Sequence, residues 1–425
     1  MTDTISAAGR QSRQLRSLLV VAALLATGFA SAADDCSGTL VIAGGGVSSD
    51  NAALFSAFVD AMPDGKVAVV SAASSSPVGS ADRFRQTMMR YGVAEEDVLA
   101  VQLAVRDDED TPDVDESKWS DNAGKPDEIA KIRAAGAIWF TGGDQSRLTE
   151  TLLTARSAPT PMLTAMQERL SDCAVVGGTS AGAAIMSDPM ITGGDTMTAL
   201  GSADGEELTM GPGLGFFSAG LVDQHFGERA RLGRLAVALR ELPAPLRLGF
   251  GVDEDTALVY SLGSGSVSVV GSGNVTVVDA RKALWRETEG RPAVEGLSIS
   301  ILAPGDSYVL ADGRFVPADY SEPTVGNEYN DHRAAVGGGI AMPSTGLDRL
   351  LGYELMDNAG SSELESYSFA LSPGEEDGRG LLYRFTQKES SSGHWGYDAN
   401  GDSRYSVSDV GLDILPVEIR VDALD

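Results

Sequence analysis

Val175-Val176-Gly177-Gly178-Thr179-Ser180-Ala181-Gly182-Ala183-Ala184 runs from an apolar stretch through a G-x-S-x-G turn into small residues able to open a helix. A strand that enters a helix through such a turn presents its serine on a sharp corner. Small neighbours let Oγ stand clear of the backbone, and the following N–H points to where an oxyanion would form. In a chain with 50 glycines the motif alone says little, and its place between strand and helix gives it content. It predicts an α/β fold with Ser180 at the carboxyl end of a strand, where the ligand crevices of such sheets lie.

The same alternation recurs outward from this stretch. Leu40–Ala43, Lys66–Ser71, Val98–Leu103, Ala137–Phe140 and Leu248–Val252 join Ala174–Val176 as short apolar runs, while Asn51–Met62, Ala81–Tyr91, Gln145–Ala155 and Pro161–Leu170 carry helical spacing. Strands alternating with helices predict a mainly parallel sheet covered on both faces. Asp107–Lys118 is an acidic loop. Leu258–Tyr260, Ser266–Val270, Val275–Val278 and Leu297–Leu302 are cut by glycine pairs and predict antiparallel strands at a sheet edge. Past Val316-Pro317 the sequence turns polar, which predicts a boundary near residue 318 between a catalytic domain, 33–317, and a C-terminal appendage, 318–425.

The 425 residues are 43% hydrophobic and 22% charged, a globular composition. Lys and Arg total 32 against 61 Asp and Glu, a net charge of −29. That balance excludes the basic footprint of a phosphate-backbone binder, so no nucleic-acid partner is expected. It suits a soluble secreted protein, or the steering of a cationic substrate. Two cysteines exclude a disulfide-built scaffold and a four-cysteine zinc site.

At the amino terminus, Arg10, Arg13 and Arg16 precede the apolar run Leu18–Ala30, and Ala30-Ser31-Ala32 has the small-x-small pattern of a cleavage site. Residues 1–32 therefore read as a secretory signal, leaving no membrane attachment after its removal. The run falls short of the ~20 apolar residues a spanning helix needs. Export permits a disulfide. Cys36 and Cys173 each stand just before an apolar run, so neighbouring parallel strands would bring both thiols to one sheet edge.

Ser180 needs a base, and the chain has three histidines: His225, His332 and His394. Only His225 lies within the α/β region. An orienting carboxylate follows from Gly251-Val252-Asp253-Glu254-Asp255, where spacing does not choose among the three. The order serine, histidine, acid departs from the serine, acid, histidine order of α/β-hydrolases, which would need His332 or His394. A second glycine turn, Gly142-Gly143-Asp144-Gln145, ends the strand Ala137–Phe140 and offers exposed amides. Arg229, Arg231 and Arg234 follow His225; helical periodicity puts Arg231 and Arg234 on one face, where guanidinium groups could meet carboxylates.

With GGDQ at 142–145, GGTSAGA at 177–183, DQHF at 223–226 followed by the three arginines, and GVDEDTA at 251–257, the chain resembles the cyanophycinases of the S51 serine peptidase family. The likeness covers roughly residues 38–317. It implies a flavodoxin-like three-layer sandwich related to class I glutamine amidotransferase domains, usually a homodimer, with no cofactor required for catalysis. It further implies Ser180 as nucleophile, His225 as base, Glu254 as orienting acid, and an oxyanion hole from the amides of Gly143 and Ala181. Asp144, Gln145, Asp223, Gln224, Arg229, Arg231 and Arg234 match pocket positions of the family. The implied reaction is hydrolysis of cyanophycin, a poly-aspartate with arginine on each β-carboxyl, to β-Asp-Arg dipeptides, with an exported enzyme acting on polymer outside the cell. An aspartyl or isoaspartyl peptidase of the same family and a non-catalytic binding protein are the other readings. Whether the first glycine turn, Gly44-Gly45-Gly46, touches substrate is left open.

In the appendage, Asp398, Asn400, Asp402, Ser406 and Asp409 fall at positions 1, 3, 5, 9 and 12 of an EF-hand-like loop, a spacing that would suit calcium. Ser403 stands where such loops place glycine.

Overall fold

The computed structural model describes residues 37–201, 207–334, 346–371 and 377–420. Residues 1–32, expected to be a secretory signal, and Cys36 lie outside them; Cys173 is disulfide-bonded.

Five short strands form the parallel part of the first sheet: β1 (Thr39–Ala43), β2 (Val67–Val70), β3 (Val98–Val101), β4 (Ala137–Phe140) and β5 (Val175–Thr179). Their spatial order is β1, β5, β4, β2, β3. Each is apolar on both faces because helices cover both. On one face Val41, Val67, Val69 and Trp139 pack against Leu54, Phe55 and Phe58 of helix Ala52–Asp60 and Phe84 and Met88 of helix Pro77–Arg90. On the other, Ile42, Val70, Ile138 and Phe140 meet Leu148 of helix Gln145–Leu152 and Met162, Leu163 and Met166 of helix Pro161–Ser171. The result is the three-layer α/β sandwich that the alternation predicts. Beyond β1 the sheet continues antiparallel through Thr256–Ser261, Ser266–Gly271, Ser307–Val309 and Arg314–Val316.

A second sheet departs from the sequence expectation in two ways. Leu248–Val252, expected in the main parallel sheet, pairs instead with Leu221–Gln224 in parallel and Val275–Asp279 in antiparallel fashion. An apolar run buried on both faces looks the same whichever sheet receives it. The boundary near 318 is also not a seam. The long strand Ser403–Arg420 pairs with Arg291–Leu302, with Ile299 opposite Val410, so the β-rich C-terminal region is built into this sheet. Val407, Val410, Leu412 and Ile414 share one core with Leu297, Ile299 and Ile301. Among the described residues no helix is long and apolar enough to cross a membrane.

Candidate active site

β5 ends at Thr179, and Ser180 turns the chain with φ +55° and ψ −109° before the helical turn Ala181–Ala184. Its N–H donates to the Ala43 carbonyl at 3.1 Å, tying the corner to the end of β1. A positive φ on a residue with a side chain is strained, by about 1–3 kcal/mol, and persists only where the surroundings enforce it. The same feature marks His225 at φ +46° and Asp255 at φ +51°, so three of the chain's strained corners converge here.

His225 follows the strand Leu221–Gln224, and its N–H donates to the Gly44 carbonyl at 2.7 Å. Its Nε2 lies 2.8 Å from Ser180 Oγ, and its Nδ1 lies 2.5 Å from Glu254 Oε1. A carboxylate on Nδ1–H leaves Nε2 free to accept the serine proton. Burial pushes the imidazole below its ordinary value of 6.5; the hydrogen bond to Glu254 opposes this, and the Arg229 charge adds to it. Neutral imidazole is the form a general base requires.

The three carboxylates that spacing could not separate have three distinct partners. Glu254 faces His225. Asp253 accepts from the N–H groups of Gly227 at 2.9 Å and Asn274 at 3.1 Å, and burial pushes it up to about 7. Asp255 accepts from Ser48 N–H and Asn51 Nδ2, both at 2.9 Å, and from Ser272 Oγ at 2.8 Å.

The glycine turns complete the surroundings of Ser180. Gly142 packs against Ser180: a Cβ there would lie 3.3 Å from the serine Cβ. At Gly143, φ is +141° and a Cβ would lie 2.1 Å from the Ala73 carbonyl oxygen, so only glycine fits. Among the described residues, the N–H groups of Gly143 and Ala181 have no partner.

Gly44-Gly45-Gly46, whose purpose the sequence left open, backs the relay. A Cβ on Gly45 would fall 2.2 Å from His225 Cε1, and one on Gly46 would fall 2.7 Å from Glu254 Oε2. Glu228 is also part of the surround, accepting the Glu254 N–H at 3.1 Å. Its signal in the sequence was slight: an acid three residues after the histidine.

The expected arginine face is corrected. Arg234 is buried, donates to both carboxylate oxygens of Asp223 (2.8 and 2.5 Å) and reaches the Gly194 carbonyl at 2.7 Å. Arg231 is buried too, donating to the Gln224 carbonyl and lying 3.6 Å from Asp223. A carboxylate that is 1% exposed needs such partners, so helix Leu232–Ala238 turns this face inward. Arg229 alone of the three is exposed. Across the site, Asp144 caps helix Gln145–Leu152 by accepting from Ser146 N–H at 2.9 Å. Burial raises its pKa, but hydrogen bonds from Ser146 and the charges of Arg147 and Arg106 outweigh that and hold it below the usual range. Gln145 Nε2 donates to the carbonyls of Ile191 and Thr192 at 3.3 and 3.2 Å.

The remaining candidates stand elsewhere. His332 pairs with Glu354 at 3.1 Å, and His394, on a strand of the second sheet, packs 5.4 Å from the Phe315 ring, so neither contacts Ser180 as an α/β-hydrolase order would require. The proposed calcium loop is a β-hairpin turn. Asp398 accepts from Asn400 and Asp402 N–H groups and from Arg404, while Ser406 and Asp409 are carried away along the strand Ser403–Arg420, Asp409 pairing with Lys388. Strand geometry separates positions that a calcium loop would gather; no group of three or more His, Cys, Asp or Glu among the described residues could hold a metal ion.

The sequence pattern of peptidase family S51 matches residues 117–266. The cyanophycinase of Geminocystis herdmanii is 34% identical over 253 residues, covering 58% of this chain and 82% of that protein. That of Synechococcus elongatus is 31% identical over the same share of this chain and 70% of its own. Among solved structures, a peptidase from an acI-B1 Actinobacterium matches 65% of this chain and 98% of its own at 20% identity, with a TM-score of 0.44.

Proposed function

Since this chain belongs to peptidase family S51 and is a serine peptidase, we propose that it hydrolyses cyanophycin, releasing β-Asp-Arg dipeptides. The observation behind this reading is the continuous hydrogen-bonded relay from Ser180 through His225 to Glu254. Ser180 Oγ attacks the carbonyl carbon of a backbone amide while His225 Nε2 takes its proton. The tetrahedral oxyanion accepts from the Gly143 and Ala181 amides, which are worth several kcal/mol when preorganised, about 2.7–4 for a single donor. His225 then protonates the leaving amine as the C–N bond breaks. Water, deprotonated by the same imidazole, cleaves the ester and restores Ser180. Glu254 orients the ring and stabilises the imidazolium.

The substrate's charges match the rim. Exposed Arg229 beside His225 can meet an arginine α-carboxylate, and exposed Asp144 beside Gly143 can meet a guanidinium. Nucleophile, base and acid are all protein groups, so the reading assigns no cofactor. It includes export through the leader 1–32, and a homodimer in the manner of the family.

The test is incubation of the purified protein, beside Ser180→Ala, with insoluble cyanophycin, following clearing and product mass. Clearing by the parent alone with β-Asp-Arg as product is expected. No clearing by either protein would sink the substrate, and isoaspartyl peptides would be tried next; clearing by both would remove Ser180 as nucleophile.

A further inference from the structure

The C-terminal region contains a second pocket, of about 390 Å³, walled by Tyr329, Arg349, Tyr353, Trp395, Tyr397 and Tyr405. Trp395 and Tyr397 meet at 5.1 Å with their planes 68° apart, and Tyr353 and Tyr405 at 6.4 Å and 78°. Tyr329 is 83% exposed and Tyr397 59% exposed, a large aromatic surface left open to solvent at one place. Behind the rings lies a carboxylate. Asp357, 4% exposed, accepts from Tyr405 Oη at 2.8 Å and from Tyr329 N–H at 2.6 Å.

Ring faces beside a carboxylate select a flat, weakly hydrated cation, which is the character of a guanidinium group. The wall itself makes such a contact: the Arg349 guanidinium lies 5.3 Å from the centre of the Tyr353 ring.

The pocket is coupled to the loop that carries Glu254. Arg404, in the hairpin bearing Trp395 and Tyr397, donates to the Ser272 carbonyl at 2.6 Å; Ser272 Oγ in turn donates to Asp255, the residue after Glu254. Asp348, the neighbour of Arg349 in helix Leu347–Leu351, lies within electrostatic reach of Asp253. A polymer gripped here would be gripped beside the catalytic loop.

We propose that this pocket is a secondary substrate site that holds arginyl side chains of a peptide polymer while the end of the same polymer occupies the Ser180 site. The inference rests on the function proposed above. It assigns to the C-terminal region the task of keeping the enzyme on an insoluble substrate.

The experiment uses the full chain carrying Ser180→Ala, so that the polymer is not consumed, sedimented with insoluble cyanophycin, with and without Tyr329→Ala plus Tyr397→Ala. Both rings are open to solvent, so their loss spares the core; Trp395→Ala serves as an independent second variant. Retention should weaken about tenfold on losing two ring contacts. With Ser180 restored, clearing of insoluble polymer should fall further than hydrolysis of a soluble β-Asp-Arg trimer. Unchanged sedimentation, or an equal fall on polymer and trimer, overturns the inference while leaving the peptidase reading intact. A parent that cleaves neither substrate removes that reading first. Ring-dependent retention on cellulose with polymer binding unaffected would replace the guanidinium ligand by a sugar and overturn the proposal.

Discussion

At Gly45 one added methyl group would sit 2.2 Å from His225 Cε1 and 2.4 Å from Nε2, on a backbone whose φ of +125° already resists a side chain. The ring would have to leave its place between Ser180 and Glu254. A displacement near 1 Å of a catalytic group can cost on the order of 100-fold, so Gly45→Ala should lower kcat on a soluble peptide substrate by about that factor, and the strain of a side chain at this φ should lower the thermal midpoint as well. The imidazole's own titration gives a second expectation at this scale. Burial and Arg229 both lower its pKa, so the neutral base persists to more acid pH than 6.5, and the acid limb of kcat/KM should fall below that value. Removing the Arg229 charge withdraws a lowering influence, so in Arg229→Ala the limb should move to higher pH; a limb that stays put would detach Arg229 from the base. The meeting of Ser180 with His225 was legible from the turn motif and from the scarcity of histidines. Which carboxylate would meet the ring was not. Asp253, Glu254 and Asp255 are consecutive at a strand end, and which one faces His225 depends on the positive φ of Asp255 and on donors from Gly227 and Asn274, none of which spacing encodes.

Elements were legible where their signal is local. Helix Pro161–Ser171 and strand β4 lie nearly where periodicity puts them, and Pro126–Arg133, a short helix in a charged stretch, escaped because its apolar face is narrow. What periodicity does not carry is pairing. Leu248–Val252 went to the second sheet, and Arg231 and Arg234 turned inward because Asp223, upstream on a buried strand, needs them. The strand Ser403–Arg420 shows the same lesson most strongly, since its partner Arg291–Leu302 lies across the boundary that composition placed near 318. A chain ending at residue 317 would leave Arg291–Leu302 with an unpaired edge and uncover Leu297, Ile299 and Ile301, each buried side chain worth about 1.5–3 kcal/mol. Such a chain should be insoluble or lose its near-ultraviolet circular dichroism, where a separable appendage would leave a folded, soluble catalytic domain. Soluble yield and spectra of residues 33–317 beside 33–425 decide it.

For the whole molecule the dominant fact is charge, with 61 acidic and 32 basic residues. Charge was fully legible; which carboxylates folding would bury was not. Burial raises Asp253 to about 7 and Asp306 to about 6, although each accepts two backbone N–H groups. A carboxylate with a raised folded pKa keeps its proton where the unfolded chain has released it. Its contribution to stability is complete below the unfolded value near 3.8 and is lost as pH rises through the folded value. Asp398 and Asp409 act oppositely: in both, burial raises the pKa but is outweighed, by Arg404 for Asp398 and by Lys388 and two serines for Asp409. Their folded pKa values are lowered, so their contribution is lost as pH falls below the ordinary carboxylate range. Between those limits, self-repulsion of the net negative charge grows with pH and works in the same direction as Asp253 and Asp306. The thermal midpoint should therefore be higher at about pH 5 than at about pH 8. Salt separates the two causes, because a Debye length of about 3 Å at 1 M removes surface repulsion and leaves buried groups nearly untouched. At high salt the difference should shrink without vanishing, the remainder belonging to the buried pair. His225 and His394, whose pKa values burial lowers in the folded protein, work the other way between those pH values, so a midpoint that at high salt is flat, or rises toward the alkaline side, would mean that the two histidines offset or outweigh Asp253 and Asp306.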